Sequence, residues 1–93
     1  MKQDFTLDIT ADNNFSVLNR IVNVLNRRRI RIKKLVAYEN HDDFRTGGAT
    51  VLVYTTPELI EKVKQQMEKQ VEVYSATYRE GSEAYIQSLR EAV

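Results

Sequence analysis

The sequence predicts an α+β domain in which four strands and two main helices follow one another in the order βαββαβ. Three observations lead there. Apolar side chains alternate with polar ones at Phe5, Leu7 and Ile9, the period of a strand with one buried face. Within residues 12–28 and again within residues 56–69 the apolar spacing changes to that of a helix. Between these segments lie clusters of turn residues, Asp12-Asn13-Asn14 and a loop over residues 40–48.

The first strand hands over to the first helix through Asp12, Asn13 and Asn14, whose side chains accept hydrogen bonds from the free amides of a first helical turn. Leu18, Ile21, Val22 and Leu25 form the expected apolar stripe. Residues 29–39 read as a second strand in which Ile30 and Ile32 alternate with cations. The phase then slips to Leu35 and Ala37, which predicts a bulge near Lys33 and Lys34. So many cations suit an edge strand, where they block unwanted pairing. Gly47-Gly48 is expected to form a hairpin turn, and residues 49–55, β-branched and aromatic, to form a central third strand.

Thr56-Pro57-Glu58 is a helix start, with a Thr cap, Pro in the first turn and an acidic neighbour. Leu59, Ile60, Val63 and Met67 give that helix its core stripe. Residues 71–78 read as the fourth strand. Gly81-Ser82 then punctuates, and Ser82 is placed to cap a short final helix with Tyr85, Ile86 and Leu89 on its apolar side. Right-handed crossovers put both main helices on one face of a four-stranded antiparallel sheet, a ferredoxin-like arrangement. The expected division is a domain over residues 1–80 and a helical extension over residues 81–93. Tyr54, Tyr74 and Tyr78 are candidates to line the sheet's open face.

Composition excludes several classes of function. The 93 residues have room for one domain, and 42% hydrophobic with 29% charged residues describes a folded chain rather than a disordered one. No apolar run approaches the ~20 residues of a membrane helix. The N-terminus has no signal-peptide core, and the lack of cysteine fits a reducing compartment, so a cytoplasmic location is expected. The absence of cysteine also removes thiolate metal sites and cysteine nucleophiles. A net charge of +1 does not suit a general nucleic-acid binder.

The candidate chemistry is sparse. His41-Asp42-Asp43 is a solvated turn without a nucleophile or a second ligand cluster, so neither catalysis nor a metal is assigned to it. Gly47-Gly48 lacks the Gly-Lys-Ser/Thr ending of a phosphate loop. Residues 45–54 carry small and β-branched residues where RNA-recognition motifs carry stacking aromatics, so no RNA is expected. Arg27, Arg28, Arg29, Arg31, Lys33 and Lys34 form the densest charge cluster. It fits both a solvated helix end beside a protected edge and a surface for acidic groups on a partner. The loop at Asn13, Asn14 and Ser16 presents amides and a positive helix end suited to an anion, and serves equally as a helix cap.

Asn13, the Leu18-x-Arg20-Ile21 segment, Arg28, Ile32-x-x-Leu35 and Lys69-x-Val71-Glu72-Val73 run collinearly over residues 5–78. In this the chain resembles the ACT domain of the small regulatory subunits of acetohydroxyacid synthase (acetolactate synthase). The resemblance implies a chain with no active site and no cofactor of its own. It would bind and stimulate a thiamine-diphosphate-dependent catalytic subunit in branched-chain amino acid biosynthesis, in many cases transmitting inhibition by valine or a relative. It also implies side-by-side homodimers, with effector sites where the first loop of one copy faces the second strand of the other. Carried onto this sequence, the effector site comprises Asn13, Asn14, Phe15, Ser16, Val17, Leu18 and Arg31, and the dimer interface Ile30, Ile32, Lys33 and Leu35.

Ser16 stands where such subunits usually have Gly, and Arg29 and Arg31 where they usually have Gly and an effector-contacting Asn. Both changes are expected to weaken a valine site. Many of these subunits continue into a second domain, so the shorter and less effector-sensitive members are the nearer comparison. A free-standing ACT module that regulates another enzyme is the alternative.

Overall fold

The computed structural model describes residues 1–82, with Phe15 described by its backbone alone. The expected final helix lies outside the described residues. The elements are β1 (Gln3–Asp12), α1 (Phe15–Arg27), β2 (Arg31–Glu39), β3 (Thr46–Thr55), α2 (Pro57–Glu68) and β4 (Val73–Glu80). The strands form one antiparallel sheet in the order β2-β3-β1-β4. The two long apolar strands are thus central, and the cationic β2 is an edge, as its composition predicts.

One face of the sheet packs against both helices. Phe5, Leu7 and Ile9 of β1 and Ala49, Val51 and Val53 of β3 meet Ile21 and Leu25 of α1 and Ile60, Val63 and Met67 of α2. In α1 the buried stripe is Val17, Ile21, Val24 and Leu25, while Leu18 and Val22 sit half-buried at its margin. The stripe is therefore rotated from the expected one. Thr56 caps α2, its hydroxyl accepting from the Leu59 amide at 3.2 Å.

The expected bulge lies in β2, where the register with β3 shifts between Ile32 and Lys34. A second shift, between Thr10 and Ala11 of β1, leaves Tyr74 of β4 as the extra residue. Gly47 and Gly48 are not a turn: both lie in β3, paired with Glu39 and Tyr38. They are glycine because a Cβ on Gly47 would stand 2.4 Å from the Tyr38 carbonyl oxygen. The fourth strand begins two residues later than expected, since residues 70–73 still turn away from α2 through a bond from the Val73 amide to the Gln70 carbonyl.

The helix α1 ends in a Schellman motif. The Ile30 amide donates to the Leu25 carbonyl and the Arg29 amide to the Asn26 carbonyl, both at 3.0 Å. Arg29 supplies the left-handed residue, at φ 54°. The motif turns Ile30 inward, where it is 5% exposed within the core of its own chain. Ile30 therefore precedes β2 and packs in the core of its own chain rather than along the β2 edge.

Candidate functional site

A cavity of about 460 Å³ lies between the first loop, the start of α1 and the C-terminal half of β2. Its floor is apolar, from Ile9, Ala11, Val17, Ile21 and Ala49. Polar groups gather at its rim, from Asp12, Asn13, Asn14, Tyr38 and Glu39. Arginine and lysine are absent from its lining residues.

Asp12, Asn13 and Asn14 of this rim are each held by a specific bond. Asn14 is the N-cap of α1, its Oδ1 accepting from the Val17 amide at 3.0 Å and from Ser16 Oγ at 2.7 Å. Asn13 ties the first loop to the loop between β2 and β3. Its Nδ2 donates to the Phe44 carbonyl and its amide to the Arg45 carbonyl, both at 2.9 Å. That second loop is organised by Asp43, whose Oδ1 accepts from both the amide and Nε of Arg45 at 3.0 Å. The Arg45 guanidinium holds the Asp43 carboxyl below its ordinary range. The bulge residue Tyr74 donates its hydroxyl to the Asp12 carboxylate, which raises the phenol pKa above its usual value.

Of the residues expected at an effector site, Asn13, Asn14, Val17 and Leu18 line this cavity. Ser16 does not line it, and its hydroxyl is taken by Asn14. Phe15 contributes the first backbone unit of α1. Arg31 lies at the far end of β2, opposite Tyr54, roughly 20 Å along the strand from Tyr38 at ~3.3 Å per residue. Within one chain it cannot meet a ligand in the cavity. Tyr38, Glu39 and Gly48 were not foreseen there. The available signal was a Gly inside a β-rich run, which marks close approach of another group.

The interface candidates divide. Ile32 and Leu35 pack half-buried against the core from β2, while Lys33 at the bulge reaches back to the Asp4 carboxylate at 3.1 Å. The surrounding cations Arg27, Arg29, Arg31 and Lys34 are exposed, and Arg28 Nε donates to Gln66 Oε1 at 3.2 Å. Tyr54 lies on the open face of the sheet, but Tyr78 does not. Tyr78 packs edge-on against Phe5, with ring centroids 5.7 Å apart, on the helix side. Among the described residues no group of three His, Asp or Glu side chains could hold a metal, and no helix is long and apolar enough to cross a membrane.

No protein-family model and no curated protein matches the sequence. Among solved structures, the chain is similar to the ACT domain from GTP pyrophosphokinase of Chlorobium tepidum. The identity is 10% and the TM-score 0.72, over 85% of this chain and 100% of that one. It is similar to the C-terminal domain of the MgtC protein from Mycobacterium tuberculosis, at 17% identity and TM-score 0.73, over 88% and 90%. It is also similar to the acetolactate synthase small subunit from Thermotoga maritima, at 21% identity and TM-score 0.70, over 82% of this chain and 47% of that one. Likeness at these identities is likeness of fold: the chain has the βαββαβ fold of ACT domains.

Proposed function

We propose that this chain is a non-catalytic regulatory subunit that binds and stimulates a catalytic acetohydroxyacid synthase subunit, with a degenerate amino-acid effector site. The observation that carries the reading is the position of the cavity, between the first loop and the edge strand β2. A second copy pairing antiparallel through β2 would bring the start of its own β2, with Arg31, toward Tyr38 and Glu39 at the cavity rim. That is the relation between loop and strand which the sequence resemblance implies, and the small subunit from Thermotoga maritima supports it as a neighbour in fold.

The test is reconstitution with the catalytic subunit encoded in the same genome. The two proteins should co-elute on gel filtration, and acetolactate formation, absent from this chain alone, should rise above that of the catalytic subunit. No complex and no rise in turnover would overturn the assignment.

A second reading is a free-standing ACT module that regulates a different enzyme. It is favoured by the likeness in fold to the ACT domain from GTP pyrophosphokinase, an enzyme other than acetolactate synthase. Binding of an amino acid without any interaction with the thiamine enzyme would select it.

A further inference from the structure

The residues that join α1 to β2 alternate in direction. Arg28 and Ile30 turn inward: Arg28 Nε donates to Gln66 Oε1 at 3.2 Å, and Ile30 is buried in the core. Arg27 and Arg29 lie exposed between and before them, and so does Arg31 at the start of β2. Among the described residues none of these three meets a carboxylate, whereas Arg20, Lys33, Arg45 and Lys64 each do.

The helix dipole accounts for Arg27, which stands in the last turn of α1. It does not account for Arg29. That residue follows the cap, at φ 54°, in a position where glycine costs least. A side chain there lowers the stability of the folded chain, and this one also sets a like charge beside Arg27. No ion pair among the described residues offsets either cost. Strain kept at an exposed, unpaired side chain points to a use outside the chain. The backbone that carries it is already fixed, by the two amide bonds of the α1 cap and by Arg28 against α2. A partner therefore has little backbone to order on binding.

We propose that Arg27 and Arg29 form a docking surface for a carboxylate-rich segment of a partner protein. That this protein is the catalytic subunit rests on the function proposed above. Guanidinium groups bind carboxylates through paired N–H donors, which suits arginine rather than lysine at both positions. Two features favour an acidic protein segment over a nucleic acid. With a net charge of +1 the chain as a whole has little attraction for a polyanion. Arg27 and Arg29 are also separated by at most ~7 Å of backbone, close to the ~6.6 Å between same-side residues of an extended segment. Arg31 lies on the β2 edge, where a second copy is proposed to pair, and is left out of this surface.

The test has two arms, both on the full chain. In the first, amide NMR spectra are recorded during titration with a short peptide alternating Glu with Ser, and separately with a single-stranded oligonucleotide of equal charge. Peptide-induced shifts should centre on residues 26–30 and vanish when Arg27→Gln and Arg29→Gly are combined. Shifts centred elsewhere, no shifts, or tighter binding of the oligonucleotide would each overturn the proposal. In the second arm the catalytic subunit replaces the peptide. Arg29→Gly should raise the Kd roughly threefold and the double variant roughly tenfold, the scale of one and two exposed charge pairs. Arg29→Gly should at the same time raise the urea midpoint, so binding and stability move in opposite directions, which a merely structural role would not produce. Equal affinity of the parent and the double variant would overturn the proposal. A parent chain that forms no complex with the catalytic subunit would instead overturn the functional reading, and the peptide arm alone would then decide the surface.

Discussion

The ring of Tyr38 lies against Gly48, its cross-strand partner between β2 and β3, so closely that a Cβ on Gly48 would stand 2.8 Å from the phenol oxygen. On the other side that Cβ would meet the Ile9 carbonyl oxygen at 2.6 Å. The tyrosine can swing away, but the backbone of a central strand cannot. Gly48→Ala should therefore destabilise the domain by about 1–3 kcal/mol, as overpacking usually does. Adding Tyr38→Ala should not restore the loss. Urea denaturation of the single and double variants measures both.

Arg29 is an L-residue at φ 54° in a position that the Schellman motif reserves for glycine. Arg29→Gly relieves the clash of Cβ with the following carbonyl and keeps both cap bonds. Stability should rise by about 1 kcal/mol, offset in part by the greater freedom of glycine in the unfolded chain. A higher urea midpoint with an unchanged denaturant slope is the expected reading.

Two exposed bonds give stability opposite dependences on pH. The Arg20 guanidinium, 2.5 Å from Glu72 Oε2, lowers the pKa of that carboxyl. Its contribution is complete above the unfolded carboxyl value and is lost as pH falls through the depressed folded one. The bond from Tyr74 to Asp12 raises the phenol pKa, so its contribution is complete below the unfolded tyrosine value near ~10 and is lost as pH rises through the folded one. Stability profiles of Glu72→Gln and Tyr74→Phe should merge with that of the parent at the acid and alkaline ends respectively.

If two copies pair antiparallel through β2, the Arg31 end of one strand faces the Glu39 end of the other. Arg31→Glu should weaken the dimer about threefold, the scale of an exposed pair made repulsive, and Arg31→Glu with Glu39→Arg should recover it. Sedimentation equilibrium reads the dissociation constants. A monomer at every concentration would exclude the pairing.

Free valine should bind at millimolar Kd or weaker. The cavity floor suits a branched side chain, but Asp12 and Glu39 stand at its rim, and within one chain no lining cation meets a ligand carboxylate. Ser16→Gly should leave the affinity unchanged, because the serine is outside the cavity, whereas Glu39→Gln should improve it. Calorimetry decides: micromolar binding by the parent chain would contradict this electrostatic account.

The order of elements, the edge character of β2, its bulge, the Thr56 cap and the core stripe of α2 were legible in the sequence. Each depends on neighbours a few residues away: a period of two against 3.6, a phase slip, a Thr followed by Pro. What the sequence could not reveal were relations between residues far apart in the chain. Gly47-Gly48 reads as a turn until the β2 backbone and the Tyr38 ring are placed against it. Arg31 and Asn13 are expected in one site shared by two copies, and the length of β2 keeps them apart within a single chain. Ile30 reads as an edge residue until the α1 cap turns it inward. Thr6 and Leu52, ordinary strand residues by pattern, become a buried cross-strand pair only once β1 lies beside β3. Local hydrogen bonding and periodicity dictate the elements, whereas strand order and register, set by the packing of the whole domain, decide which side chains share a surface.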